Sequence, residues 1–209
     1  MSLSVPQALR WAWRAFRANV WLYVAVILTL FAAWVALEVV VVAGQSLGKL
    51  FNLAAHLSFL VGFAGLCSGF IEICLQVAQG GHPNYRTLFS KLQLGPAMLA
   101  AQFIYLAGVT LGSVPLLIPG AVIAVRLVFF GPWIVTGRPH PLAALGASAA
   151  LTRNRATALT GALLVLLLLN LCGALLLGLG LLVTVPVTML TLTALYGQLV
   201  TTGQTLPPV

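Results

Sequence analysis

Residues 156–200, ATALTGALLVLLLLNLCGALLLGLGLLVTVPVTMLTLTALYGQLV, carry no charged side chain, and none follows before Val209. An uncharged run of 54 residues is too apolar for a soluble surface and too long for one membrane crossing. A helix needs about 20 apolar residues to cross the hydrocarbon core. The run therefore reads as two helices, with a turn near Gly178–Gly180 and Pro186 shortly inside the second.

The same reading extends upstream. From Pro96 to Val135 the chain is apolar for 40 residues, interrupted by Pro115, Pro119 and Gly120. That length predicts two more helices joined by a turn at Ser113–Gly120. Val20 to Val42 and Leu53 to Ala78 each fit one helix, so six spans are expected. Composition agrees: hydrophobic residues make up 61% and charged residues 6%, against about 25% charged in average soluble domains. Ten Lys/Arg and two Asp/Glu cannot clothe a soluble fold of 209 residues. The predicted fold class is an all-α polytopic membrane bundle, with residues 1–209 as one transmembrane domain.

The net charge of +8 does not point to nucleic acid, because the basic residues flank apolar spans. Arg10, Arg14, Arg17, Arg86, Lys91, Arg138, Arg153 and Arg155 fall on one side of the predicted topology, and Lys49 alone on the other. Basic loops stay cytoplasmic, so both termini are expected inside, with anionic lipid headgroups as partners. The basic start is not read as a secretory signal. A signal's apolar region is about 7–15 residues long, whereas the run after Asn19 has 23. Cys67, Cys74 and Cys172 lie inside apolar runs without paired spacing and are expected to pack as small hydrophobes.

Each cytoplasmic stretch has one order of elements: a Pro, a basic amphipathic segment, and a helical hairpin ending in Gly. The repeats run approximately over 4–80, 81–137 and 138–203. The first opens at Pro6, with Leu9, Trp13 and Phe16 on one helical face and Arg10, Arg14 and Arg17 on the other. The second opens at Pro83, with Tyr85, Leu88 and Phe89 beside Arg86 and Lys91. The third opens at Pro141, with Leu142, Leu145 and Leu151 beside Arg153 and Arg155. Pro suits the first turn of a helix, where its missing N–H costs nothing. Aligning 111–137 with 177–203 gives six identities in 27, Gly112/Gly178 and Gly131/Gly197 among them. These repeats are parallel, unlike the inverted repeats common in transporters. Each amphipathic segment is expected in the inner interface, with Arg10, Trp13, Arg14 and Arg17 as lipid contacts.

Few groups could carry chemistry. Glu38, Glu72 and Arg126 are ionisable groups within spans, where an unpaired charge is costly. Glu72 lies six residues and Arg126 ten residues from the inner ends of their spans, or roughly 9 and 15 Å at 1.5 Å per residue. Similar depth predicts a Glu72–Arg126 pair, either locking two hairpins together or relaying a proton or substrate. Glu38 leans toward the outer interface. Asn170 is expected to hydrogen-bond a neighbouring helix. Gly65-x-x-x-Gly69 and Gly108-x-x-x-Gly112 predict close backbone approach. His56, His82 and His140 have no converging ligands, so neither metal nor cofactor is expected. No nucleophile elbow, zinc-protease helix or phosphate loop occurs, and no catalytic residue is assigned.

The combination Ile118-Pro119-Gly120, Arg126-Leu127, Pro141-Leu142-Ala143-Ala144-Leu145, Ser148 and Leu151-Thr152-Arg153-Asn154 resembles a broad group of bacterial six-span membrane proteins of unknown function. It is also similar to the membrane-embedded part of some glycerophosphodiester phosphodiesterases. Ala8-Leu9, Phe16, Asn19, residues 178–184, Pro186 and Tyr196 fit the same pattern. The resemblance implies a bacterial cytoplasmic membrane and the six-span fold. It implies no catalytic residue, because phosphodiesterase chemistry belongs to a separate soluble domain. The expected function is non-enzymatic: an accessory, scaffold or assembly subunit, with a larger membrane protein complex as its protein partner. The alternative is a transporter or channel for a small or lipid-like solute.

Overall fold

The computed structural model describes residues 4–44, 48–113, 117–137, 140–153, 155–176 and 178–201. Pro115 and Arg138, the Asn154 of the resemblance motif and residue 203 at the end of the third repeat lie outside them. The described residues form helices and turns without a strand. In chain order the helices are α1 (Val5–Ala18), α2 (Val20–Ala43), α3 (Lys49–Ala78), α4 (Gly95–Ser113), α5 (Leu117–Leu127), α6 (Phe130–Val135), α7 (Pro141–Thr152), α8 (Ala156–Leu175) and α9 (Leu181–Thr201). Two 3₁₀ turns, Tyr85–Phe89 and Leu92–Leu94, precede α4.

Among the described residues, five segments are long and apolar enough to cross a membrane: Val20–Ala43, Lys49–Ala78, Tyr85–Ser113, Ala156–Leu175 and Leu181–Thr201. The chain is a multi-pass helical membrane protein by this criterion. The expected fourth span is not one long helix. It breaks at Val128–Phe129 into α5 and the short α6. Pro132 supplies a reason, since it has no N–H to donate into the preceding turn. The second amphipathic segment also departs from expectation, because it forms 3₁₀ turns instead of an α-helix.

That segment shows what the glycine spacing on α3 is for. A Cβ at Gly69 would run into the backbone of Leu88, and one at Gly65 would come within 2.8 Å of the Leu92 carbonyl oxygen. The Gly65-x-x-x-Gly69 face receives the 3₁₀ chain, leaving Leu88 fully buried. The second glycine pair serves its own hairpin: Gly112 faces Ile123 and Gly120 where α4 meets α5. Gly173 faces Gly180 in the same manner where α8 meets α9.

Consecutive helices pair as α2 with α3, α4 with α5, and α8 with α9. Between pairs the contacts run in a cycle. α1 lies on α9, the 3₁₀ turns lie on α3, and α7 lies on α5 and α6. Likewise α2 touches α9, α4 touches α3, and α8 touches α5. Each opening segment thus rests on the returning helix of the preceding pair, and the first rests on the last. Phe129, Ile134, Leu195 and Tyr196 belong to one buried cluster; Tyr23, Ile73, Cys74, Leu88 and Leu190 belong to the other.

The α5–α6 break exposes backbone that a membrane protein must satisfy internally. α7 supplies the partners. Ser148 Oγ and Thr152 Oγ1 both donate to the Arg126 carbonyl, at 2.9 and 3.1 Å, and Phe129 N–H donates to Ser148 Oγ at 3.1 Å. Ser148→Ala removes the acceptor of a buried N–H and one donor to the carbonyl. An unsatisfied buried group costs about 1–3 kcal/mol, so the thermal midpoint in detergent is expected to fall clearly. Thr160→Val is the control, since Thr160 Oγ1 donates only within its own helix, to the Ala156 carbonyl. Equal midpoints for the two variants would show that α7 does not staple the break.

Candidate functional site

Glu72 does not meet Arg126. Its Oε2 lies 3.9 Å from Lys91 Nζ, and its Oε1 accepts a hydrogen bond from Gln76 Nε2 at 3.0 Å. Among the described residues no ion pair joins Glu72 to Arg126. The correction has a geometric cause. The repeat reading put Lys91 on an interfacial segment, but the Gly65–Gly69 face draws that segment along α3. Lys91 Nζ also donates to the Val135 carbonyl at the end of α6, at 3.5 Å. Lys91 thus links α3 to α6, which is the locking role expected of Arg126. Arg126 is half-buried and enters the polar network of α7 through its backbone carbonyl.

Glu38 is exposed on α2, and no ion pair involves it among the described residues. Asn170 acts as its position suggests: Nδ2 donates to Thr188 Oγ1 on α9 at 2.7 Å and to the Leu166 carbonyl at 2.8 Å. Sequence reasoning missed the pairing of Lys91 with Glu72, Thr188 as the acceptor for Asn170, and the bond between Thr29 Oγ1 and Tyr85 hydroxyl at 2.7 Å. The alternation of Thr with apolar residues along 184–193 was the available signal for Thr188.

α1 is amphipathic as expected, but its inner face is different. Ala8, Ala12 and Phe16 are buried, recurring every four residues, while Arg10, Trp13, Arg14 and Arg17 are exposed. The buried stripe lies along α9. Ser4 N–H donates to Gln198 Oε1 at 3.3 Å, and Phe16 joins the cluster containing Val187 and Leu190. α1 therefore runs antiparallel to the later part of α9.

A cavity of about 1060 Å³ lies beside this contact. Gln79 just beyond α3, Thr136 just beyond α6, and Gln198 and Thr201 of α9 line it, together with Gln7, Arg10 and Arg14 of α1. The ends of three returning helices meet there. Such a volume suits a ligand of moderate size, and the lining offers amides, hydroxyls and guanidinium groups. Among the described residues that line it there is no carboxylate, histidine or cysteine. Among the described residues no three His, Cys, Asp or Glu side chains gather as a metal site. His56, His82 and His140 are exposed and separate. No family model, curated protein or solved structure matches the chain.

Proposed function

We propose that the chain is a non-enzymatic accessory or scaffold subunit of a bacterial cytoplasmic membrane, with six crossings in three parallel hairpins and both ends inside. The cyclic packing of opening segments on returning helices supports the three-part plan. The meeting of Gln79, Thr136 and Thr201 around one cavity supports a sixth crossing, because it brings the α5–α6 stretch back to the end where α3 and α9 finish. Pro119–Val135 has 17 residues, about 25 Å of helix at 1.5 Å per residue. Burial of all of α6 in protein eases that shortfall. The likeness to bacterial six-span proteins is part of this reading. It draws support from Arg126, Ser148 and Thr152, whose motifs carry the likeness and which meet in the fold.

The observation that carries the accessory role is the outward face of α2. This is the least buried of the five long segments, and Phe31, Trp34, Val35 and Val39 are exposed on it. Glu38, which leans toward the outer interface, adds a carboxylate to this apolar face, and a membrane partner with a matching donor fits both. Copurification from native membrane in mild detergent tests this. A stoichiometric partner is expected, and Glu38→Gln with Trp34→Ala should release it while the chain stays folded. A solitary protein with solute density in the cavity would instead establish the second reading, a transporter or channel for a small or lipid-like solute. The volume and polar lining of the cavity favour that alternative.

A further inference from the structure

A second hollow lies on the other flank of α1. It measures about 630 Å³ and is lined by Leu9, Arg10, Trp13 and Arg14 of α1, Leu169 of α8, and Val183, Thr184 and Val187 of α9. We propose that this groove holds one anionic diacyl phospholipid, its phosphate on Arg10 and Arg14 and an acyl chain along Leu169, Val183 and Val187. The inference rests on the membrane placement of the chain, not on its having a protein partner.

Charge is the first argument. The chain has only two acids. Glu72 is taken by Lys91, and Glu38 lies on α2 outside both hollows. No ion pair reaches Arg10 or Arg14 among the described residues. Each guanidinium uses its Nε–H on an α1 carbonyl: Arg10 on Pro6 at 3.2 Å and Arg14 on Arg10 at 3.4 Å. A guanidinium has five N–H donors in a planar fork, and the rest of that fork suits a phosphodiester.

Direction is the second. The arginine side chains fold back toward the start of α1, which lies beside Gln198 near the end of α9. The apolar wall extends the other way, toward Val183 near the start of α9. The groove is therefore charged at one end and apolar along its length, which is the polarity of a lipid and not of a free anion or an acidic peptide. Trp13 is 46% exposed and adds its indole to the apolar wall of the groove.

The full chain purified in mild detergent is the material for the test. It is offered dioleoylphosphatidylglycerol, dioleoylphosphatidylcholine or inorganic phosphate, with retention read by native mass spectrometry and stability by the thermal midpoint. One phosphatidylglycerol per chain is expected, with roughly a 10–30-fold preference over phosphatidylcholine from two interfacial arginines. Phosphate alone should shift nothing. Arg10→Gln with Arg14→Gln should erase the preference. Val183→Phe, which fills the groove and keeps both arginines, should weaken retention of phosphatidylglycerol. Arg153→Gln should match the parent. Equal retention of the two lipids overturns the proposal, as does an equal effect of phosphate or undiminished binding by the double arginine variant. Because the purified chain is tested alone, none of these outcomes depends on whether a protein partner exists.

Discussion

Gly69→Val is expected to be the most damaging single substitution in the chain. A Cβ at Gly69 meets the Leu88 carbonyl group and its Cα, so backbone must move instead of a side chain turning aside. Overpacking typically costs about 1–3 kcal/mol, and a clash with backbone belongs at or above the top of that range. Displacing Leu88 also empties a fully buried position and carries Lys91 away from Glu72. Against a total stability of about 5–15 kcal/mol, the variant should show a large drop in thermal midpoint and poor recovery from detergent. Gly69→Ala should fall between it and the parent. Gly62→Ala on the same helix should be neutral, since its Cβ would meet nothing within 4 Å. Equal behaviour of the two alanine variants would mean that the 3₁₀ chain does not lie on this glycine face.

The second large effect concerns the charge pair. Glu72→Gln and Lys91→Met should each lower stability, and the double variant should recover most of the loss. Breaking a buried ion pair by removing one partner costs about 3–5 kcal/mol, whereas exposed pairs contribute about 0.2–1 kcal/mol. The Lys91 and Glu72 side chains are 29% and 21% exposed, which places each single loss at about 1–3 kcal/mol. Glu72→Gln with Arg126→Met should be additive, because those residues share no bond. Thermal midpoints of these four variants and of Arg126→Met alone, read as two double-mutant cycles, decide the matter. Coupling in the Arg126 cycle and none in the Lys91 cycle would reverse the assignment.

The comparison with sequence reasoning turns on what each signal encodes. Charge-free length requires apolar surroundings, so the long helices were legible from it. Asn170 was legible because an amide in hydrocarbon must find a donor or acceptor nearby. The partner of Glu72 was not, because depth along straight, separate helices says nothing of a segment that folds back. Gly65 and Gly69 announced a close approach, but no spacing says whether a helix or a 3₁₀ turn makes it. On α1 the outward arginines were legible and the inner stripe was not. Ala8 and Ala12 are too weakly hydrophobic to mark a face, yet they let α1 settle on α9. The α5–α6 break had a visible signal in Gly131-Pro132, which the apolar run around it masked.

The three-hairpin plan can be tested at the positions where its returning helices end. Gln79, Thr136 and Thr201 are exposed and line one cavity. Single cysteines at each, in a chain with Cys67, Cys74 and Cys172 replaced by Ala, can be probed with a membrane-impermeant maleimide in intact and permeabilised cells. All three are expected to resist labelling from outside and to react once the membrane is opened. A cysteine at Thr136 that labels in intact cells while those at Gln79 and Thr201 stay protected would contradict the plan, because the α5–α6 stretch would then not return across the membrane.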